Sequence, residues 1–178
     1  LQIAVPTFTF IATATSASLI TERIELVDCK KETFNIDYAK IGKQNNVIMP
    51  VDVGGLPCDY DELPKSGKII FEDAAEALGA EYRGKKVGSI AHITLFSFHA
   101  AKIVTTGEGG MLTTNDTGLY NLMKQIVNQG YPLDKKDKWG YLHNEFGLNF
   151  RMTEMQSALG LVQLSKLDKY LRHREEIA

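Results

Sequence analysis

The sequence predicts an α/β fold in which a mostly parallel central sheet is covered by helices. Short apolar runs typical of buried strands alternate with helical patterns along the chain, and this order favours parallel strands joined by crossover helices. Polar residues also gather where the predicted strands end, which is where α/β sheets bind ligands. With 178 residues, 44% of them hydrophobic, the chain is large enough for one globular domain with a real core.

Each element is predicted from its own local pattern. Apolar runs predict strands at Gln2–Val5, Ile24–Val27, Asn46–Val51, Lys68–Phe71, Ile93–Phe96 and Gly110–Thr114. Helical spacing of apolar residues predicts helices at Ile11–Ser18, Tyr60–Leu63, Ala74–Leu78, Thr117–Gln129 and Thr153–Leu171. The charged residues of Asp134–Lys138 predict a solvated loop.

The composition argues against several classes of function. The formal net charge is −2, and there is no basic stripe of the kind that indicates a nucleic-acid-binding protein. No apolar run reaches the length of about eighteen residues that predicts a membrane span. Cys29 and Cys58 form neither a CxxC motif nor a disulfide framework, so we expect a cytoplasmic protein. The histidines lack the spacing of metal ligands, and no metal site is predicted.

Both ends of the sequence read as the middle of an element. Leu1–Pro6 has the pattern of a strand already under way, with no initiator methionine. The helical pattern that begins at Thr153 runs to Ala178 without a cap. We therefore expect this chain to be the central part of a longer protein.

Lys102 is the most unusual charged residue of the sequence. It lies among apolar and hydroxyl residues, just ahead of the glycine-rich segment Thr105–Gly110. A lysine held against apolar neighbours loses hydration of its ammonium form, and its neutral amine can then condense with a carbonyl group. Two simpler interpretations stay open: the lysine reaches past the apolar residues to water, and the glycines only supply the positive φ angles of a turn.

Two further residues follow predicted strands. Asp73 comes at the end of a buried strand, where a carboxylate faces a bound cation or caps the helix predicted to follow. Phe10 follows the first strand together with Phe8, and offers an aromatic face among hydroxyl groups. Ordinary core packing is the alternative for each ring.

Four motifs in a fixed order resemble one enzyme family. They are Asp73–Ala75, Ser97–Lys102, Thr106–Gly110 and Gly147–Met152. Together they resemble the DegT/StrS-type sugar-nucleotide aminotransferases, which are fold-type-I enzymes that use pyridoxal 5′-phosphate (PLP). The resemblance spans nearly the whole chain. It implies that residues 1–150 form the central part of the PLP-binding large domain, and that residues 151–178 form a helix leading towards a small C-terminal domain outside this chain.

The resemblance also implies a role for individual residues. Lys102 matches the lysine that binds the cofactor through a Schiff base and moves a proton between substrate and cofactor. Asp73 matches the aspartate that keeps the pyridine nitrogen protonated, which sustains the electron sink of the ring. Ser97 matches a hydroxyl that holds the phosphate, and Phe10 matches an aromatic residue that stacks on the ring. Asn149 matches an asparagine that reaches the cofactor phosphate of the neighbouring subunit, so a homodimer with shared sites is implied.

Glu76 departs from the family's pattern, because Gln or His is more common at that position, beside the phenolic oxygen of the cofactor. An ionised Glu would repel a phenolate, so Glu76 is expected either to be protonated or to point away. The implied reaction transfers an amino group from glutamate to a nucleotide-linked keto-sugar. One alternative is a sugar dehydratase of the same family, in which histidine typically replaces the lysine, so Lys102 argues against it. Another is a non-catalytic sensor domain, which only Glu76 favours.

Overall fold

The computed structural model describes residues 1–63, 67–133 and 142–178. The strands are β1 (Ile3–Pro6), β2 (Ile24–Val27), β3 (Val47–Ile48), β4 (Ile69–Asp73), β5 (Glu81–Tyr82), β6 (Lys85–Lys86), β7 (Ile93–Ser97) and β8 (Gly110–Thr113). The α-helices are α1 (Ile11–Ser18), α2 (Thr117–Val127), α3 (Glu154–Leu164) and α4 (Leu167–Ile177). Two short 3₁₀ helices span Tyr38–Lys40 and Val53–Gly55. The loop predicted at Asp134–Lys138 lies outside the described residues.

The central sheet has six strands in the order β2-β1-β3-β4-β7-β8. The pairs from β2 through β7 are parallel, and only β8 runs antiparallel to its neighbour β7. Residues 98–109 join β7 to β8 without a crossover helix, and a connection of that kind returns the chain in the opposite direction. The predicted fold class, a mostly parallel sheet with helices, is confirmed.

Apolar side chains cover both faces of this sheet, because successive residues of a strand point to opposite sides. Ala4, Ile48 and Ile70 belong to a buried cluster on one face. Ile3 and Val5 belong to a second cluster, on the other face. Burial on both sides explains why the central strands read as nearly continuous apolar runs in the sequence.

Two of the predicted helices are wrong. Residues 60–63 and 74–78 form turns and bends instead of helices. Ala77 N donates to Ala74 O and Ala80 N donates to Ala77 O, which are the bonds of successive tight turns. Both segments are too short to recover the cost of starting a helix. The small apolar residues of the second segment are explained by burial instead, since Ala74 is 0% and Ala77 is 2% exposed.

The long helix predicted at Thr153–Leu171 is in fact two helices, α3 and α4. Thr153 and Gln156 form a reciprocal capping box at the start of α3. The chain then turns at Ser165, and Leu167 packs with Met152 against the buried cluster that contains Ala74 and Ala77. The turn between the two helices allows Leu167 to reach this cluster. None of the helices in the described ranges has the length and apolar character needed to cross a bilayer.

The hairpin of β5 and β6 was not predicted from the sequence. Its two central residues, Arg83 and Gly84, have φ angles of 48° and 77°. Two-residue hairpin turns of type I′ require positive φ at both positions, and Asn-Gly is their usual sequence signal. Arg-Gly lacks that signal, so the turn was missed.

Candidate active site

Three of the predicted site residues lie at or just after strand ends that meet at one edge of the sheet. Asp73 is the last residue of β4 and Ser97 is the last residue of β7. Phe10 is the N-cap of α1, just after β1. Because these strands are parallel, their carboxyl ends lie at the same edge, where α/β sheets form their ligand crevice.

Two adjoining cavities lie at this edge. One, of about 330 Å³, is lined by Phe8, Thr9, Phe10, Val51, Val53, Asp73, Ala75, Glu76 and Lys102. The second, of about 450 Å³, is lined among others by Gly54, Gly55, Ser97 and Arg174. Ala75, Glu76 and Lys102 line both cavities, and we call the two together the cleft. Lys102 and Asp73 therefore face one shared space.

The carboxylate of Asp73 is held by two donors. Its Oδ1 accepts a hydrogen bond from Ala75 N at 3.1 Å, and its Oδ2 accepts one from Thr13 Oγ1 at 2.7 Å. The helix-cap interpretation of Asp73 is wrong, because turns follow it and no helix begins there. The bond from Ala75 instead closes a local turn in which the side chain of Asp73 replaces a backbone acceptor.

Lys102 pairs with Glu76 inside the cleft. Lys102 Nζ lies 3.4 Å from Glu76 Oε1, and the lysine side chain is only 25% exposed. The other oxygen, Glu76 Oε2, accepts a hydrogen bond from Gly54 N at 2.9 Å. Glu76 was expected either to be protonated or to point away from the cofactor's phenolic oxygen, and the structure has its carboxylate turned towards Lys102. Both carboxylate oxygens have a partner there.

The loop that carries Lys102 is built by short local bonds. Lys102 N donates to His99 O at 2.9 Å, and His99 N donates to Ser97 Oγ at 3.2 Å. Gly107 and Gly109 have φ angles of 79° and 155°, so the glycines do supply the positive φ angles considered from the sequence. A Cβ on Gly109 would lie 2.5 Å from Thr106 Oγ1, so a side chain there would displace the loop.

The aromatic residues after β1 are not buried in the core. Phe10 is 79% exposed and lines the cleft beside Asp73. Phe8 is 52% exposed and contacts Phe34, with ring centroids 5.0 Å apart. Core packing is therefore the wrong interpretation of both rings. Phe10 presents its ring where a flat ligand could pack against it.

Asn149 lies apart from the other predicted site residues. It forms an antiparallel bridge with Asn128, just beyond the end of α2. It is not among the residues that line the cleft within its own chain. Its assignment to the cofactor of a neighbouring subunit stays a prediction.

The sequence interpretation missed a pair of buried acids beneath the site. Glu72 and Asp52 are both 0% exposed. Burial raises the pKa of Glu72 to about 8 and the pKa of Asp52 to about 6. Glu72 accepts hydrogen bonds from Thr94 Oγ1 at 2.8 Å and from the hydroxyl of Tyr60. A glutamate that follows three apolar residues in the same strand was the signal that could have revealed Glu72.

Thr13 and Arg174 were also missed. Thr13 donates to Asp73 from α1, and Arg174 lines the cleft from α4. Neither residue belongs to a motif, and each reaches the site only through the packing of a distant helix. A periodic helical pattern does not reveal a contact of that kind.

The residues of the cleft fit PLP by their chemistry. A carboxylate with free acceptor positions suits a protonated ring nitrogen, and the exposed ring of Phe10 suits the face of a pyridine. Lys102 supplies an amine that an aldehyde can capture. The hydroxyl of Ser97 and a cationic side chain, Arg174, line the adjoining space, where an anionic tail would find donors.

The fold thus defines an α/β protein with a cleft, lined by Lys102 and Asp73, at the carboxyl edge of its sheet. A family model described as "DegT/DnrJ/EryC1/StrS aminotransferase family" matches residues 2–178. The chain belongs to this family. The family predicted from the four motifs is confirmed.

Individual relatives agree with this assignment. A GDP-perosamine synthase of Caulobacter vibrioides is 41% identical, and the match covers 99% of this chain and 48% of that protein. A UDP-4-amino-4,6-dideoxy-N-acetyl-beta-L-altrosamine transaminase of Campylobacter jejuni is 38% identical, with coverage of 95% and 47%. The chain thus spans about half the length of the curated relatives it matches.

A solved structure shares the fold. The PMP form of the Streptococcus pneumoniae protein Spr1654 matches with a TM-score of 0.88 and 30% identity, covering 99% of this chain and 53% of that one. Its PLP form matches with a TM-score of 0.86 and 31% identity, covering 99% and 51%.

Proposed function

We propose that this chain is part of a PLP-dependent aminotransferase that moves an amino group from glutamate to a nucleotide-linked keto-sugar. The observation that carries the proposal is that Lys102 and Asp73 line one cavity of about 330 Å³. The printed names of the relatives, a GDP-perosamine synthase and a UDP-amino-sugar transaminase, support the substrate class. The solved PLP and PMP forms of Spr1654 support the cofactor.

Four residues would hold the cofactor. Asp73 would face the ring nitrogen, Phe10 would pack against the ring, Ser97 would donate to the phosphate, and Lys102 would bind the aldehyde carbon. When bound, PLP supplies an electron sink that stabilises negative charge at the carbon bearing the amino group. The carboxylate of Asp73 supports this sink because it favours the positive charge of the ring nitrogen.

Lys102 has a second task, which is to move protons. Within each half-reaction its Nζ would carry one proton between the substrate carbon and the cofactor, away from the donor in the first and onto the sugar in the second. Glu76 Oε1, at 3.4 Å, lies close enough to steady the ammonium group whenever the lysine carries the proton. Gly54 N holds the opposite carboxylate oxygen at 2.9 Å, so Glu76 stays turned towards the lysine.

The assembly we propose is a homodimer with shared sites. The segment around Asn149 exposes Phe146, Leu148 and Phe150, which are 91%, 49% and 62% exposed. Apolar side chains gathered this densely on a surface favour a protein partner. A second copy of the chain placed there would bring Asn149 towards the neighbouring cofactor.

The proposal includes the domain organisation and location expected from the sequence. Residues 1–150 would form the central part of the large domain, and residues 151–178 would lead towards a small C-terminal domain. The match to about half of each curated relative supports a longer protein. Both cysteines are free thiols, which suits the reducing cytoplasm.

Reductive trapping tests this function directly. The intact protein is incubated with PLP, its absorption spectrum is recorded, and borohydride is added before peptide mapping. We expect an imine absorption band that borohydride abolishes, with the label on Lys102. A Lys85→Ala variant, which changes an exposed lysine of the β5–β6 hairpin, should label as the parent does. Labelling of other lysines, with Lys102 unmodified, would refute the assignment.

A second assay addresses the substrates. The protein is supplied with glutamate and a nucleotide-linked keto-sugar, and turnover is measured as the release of 2-oxoglutarate. The turnover is then compared with the trapping of PLP on Lys102. A Lys102→Ala variant should lose at least about a thousandfold in turnover, because no other amine in the motif can replace its proton transfer. A parent protein that captures PLP at Lys102 but never aminates a keto-sugar would instead favour the sensor interpretation.

A further inference from the structure

The hydroxyl group of Thr13 makes an unusual contact for a helical threonine. Threonines inside helices commonly bond back to a carbonyl of the preceding turn, and Thr15 of the same helix does so, to Ile11 O at 3.2 Å. Thr13 instead donates to Asp73 Oδ2 at 2.7 Å, across 60 positions of sequence. It is also buried, with only 3% of its surface exposed. The hydroxyl of Thr13 therefore hydrogen-bonds to the carboxylate of Asp73 and not to its own helix.

A second hydroxyl stands behind the first. Thr9 Oγ1 lies 2.7 Å from Thr13 Oγ1. The hydroxyl of Thr13 donates its only proton to Asp73, so towards Thr9 its oxygen can only accept. Thr9 is therefore the donor in this pair. The competing contact from Thr9 to Phe10 O is longer, at 3.3 Å. The two hydroxyls form a chain of hydrogen bonds in which each polarises the next.

With these two donors in place, the carboxylate of Asp73 still has acceptor positions for a positively charged ligand group. Thr13 occupies one acceptor position of Oδ2, and Ala75 N occupies one of Oδ1 at 3.1 Å. Each carboxylate oxygen can accept about two hydrogen bonds. One position on each oxygen therefore remains for a ligand in the cleft, while the two donors fix the plane of the carboxylate.

We propose that Thr13 is a positioning residue for Asp73, which holds the carboxylate in the orientation that meets the ring nitrogen of the cofactor. The inference rests on the proposed function, since it assigns a role to Thr13 only through the partner of Asp73. Thr9 supports the same orientation from the wall of the cleft. Losing the hydroxyl of Thr13 leaves Oδ2 without its donor and the carboxylate free to turn.

Equilibrium binding of PLP to the intact apoprotein tests this role without relying on turnover. Thr13→Val keeps the shape of the side chain and removes the hydroxyl, and we expect it to weaken PLP binding by about tenfold, the usual cost of a hydrogen bond to a charged group. Thr13→Ser keeps the hydroxyl and should stay within about threefold of the parent. Thr15→Val, a matched change on the same helix, should stay within about twofold.

A double-mutant cycle separates positioning from a general structural role. In an Asp73→Ala background, which has no side-chain acceptor at this position, Thr13→Val should weaken PLP binding by less than about twofold further, because its target is already lost. A full tenfold loss in that background would overturn the inference. Thr9→Val provides a second test should Thr13→Val not fold. We expect about a threefold loss of affinity for Thr9→Val, and parental affinity in that variant would contradict the role of the hydroxyl chain.

The same titrations distinguish failure of the inference from failure of the function. A parent protein that does not bind PLP refutes the proposed function, and the role of Thr13 with it. A parent that binds PLP while Thr13→Val binds equally well refutes the positioning role alone. Rescue by Thr13→Ser supports the hydroxyl as the group responsible.

Discussion

Lys102 Nζ and Glu76 Oε1 lie 3.4 Å apart at the centre of the cleft. Glu76 is half exposed, at 51% of its side chain, while the lysine is 25% exposed. Both residues line both cavities, so a ligand that spans the two would lie against this pair. Because the lysine is the proposed reactive amine, the charge of its neighbour bears directly on its chemistry.

The first prediction concerns Glu76→Gln. Removing the negative charge breaks the ion pair that holds the Lys102 side chain, so the rate of PLP capture at pH 7 should rise, by up to about fivefold for a half-exposed ion pair. Stopped-flow absorbance measures this rate. Glu81→Gln is the matched control, because Glu81 pairs with Lys86 at 2.8 Å on the β5–β6 hairpin. Equal capture rates in the parent and Glu76→Gln would contradict the prediction.

The second prediction concerns Asp73→Asn. The amide cannot hold the positive charge of a ring nitrogen, so the glutamate half-reaction should slow by about a hundredfold or more, while PLP still binds. Single-turnover kinetics with glutamate measure this step. Asp116→Asn is the control: Asp116 caps α2 by accepting from Leu119 N at 2.8 Å, and Asn caps helices about as well as Asp. Near-parental rates for Asp73→Asn would show that Asp73 does not support the positive charge of the ring nitrogen.

The third prediction concerns the shared site. Subunits carrying only Lys102→Ala are mixed with subunits carrying only Asn149→Ala. In a mixed dimer with shared sites, one site has both defects and the other has none, so about half of the parental activity per dimer should return. Activity that stays at the level of the separate variants would mean that each site is built within one subunit.

A control mixture makes the third test sharper. Lys102 and Asp73 line the same cavity within one chain. Mixing Lys102→Ala subunits with Asp73→Asn subunits therefore leaves one defect in every site. No activity should return in this mixture, whichever way Asn149 acts.

The fourth prediction concerns pH and the buried Glu72. Burial raises its pKa to about 8 from the ordinary value of 4.5, so the folded state binds the proton more tightly than the unfolded state. Its contribution to stability is fully present below about pH 4.5 and is lost as pH rises through about 8. The other acidic groups near it, Asp52 and Asp73, also raise its pKa, and Tyr60 and Thr94 contact it.

Urea denaturation at pH 5 and pH 8 checks this fourth prediction. In Glu72→Gln the side chain no longer titrates, so the fall in unfolding free energy between the two values should be smaller than in the parent by at least about 1 kcal/mol. Glu22→Gln, at an exposed position, should leave the pH dependence unchanged. A parental pH dependence in Glu72→Gln would show that Glu72 does not bind the proton in the folded protein.

The sequence by itself determined the sheet class and the family, and it predicted the central site residues. Apolar runs mark buried strands because a parallel sheet is covered on both faces, and the period of such runs is a local property. Lys102 and Asp73 were predicted as site residues for the same kind of reason. Each lies in a short motif whose neighbours are consecutive in the chain, so no knowledge of packing was needed.

Only the tertiary structure decided which groups these residues meet. Thr13 reaches Asp73 across 60 positions, and Glu76 reaches Lys102 across 26. Both contacts depend on the order of strands in the sheet. The same dependence explains the wrong helix at 74–78, where burial of Ala74 and Ala77 beneath the site outweighs a weak local helical preference. Local patterns specify the elements, whereas contacts between distant residues depend on how those elements pack.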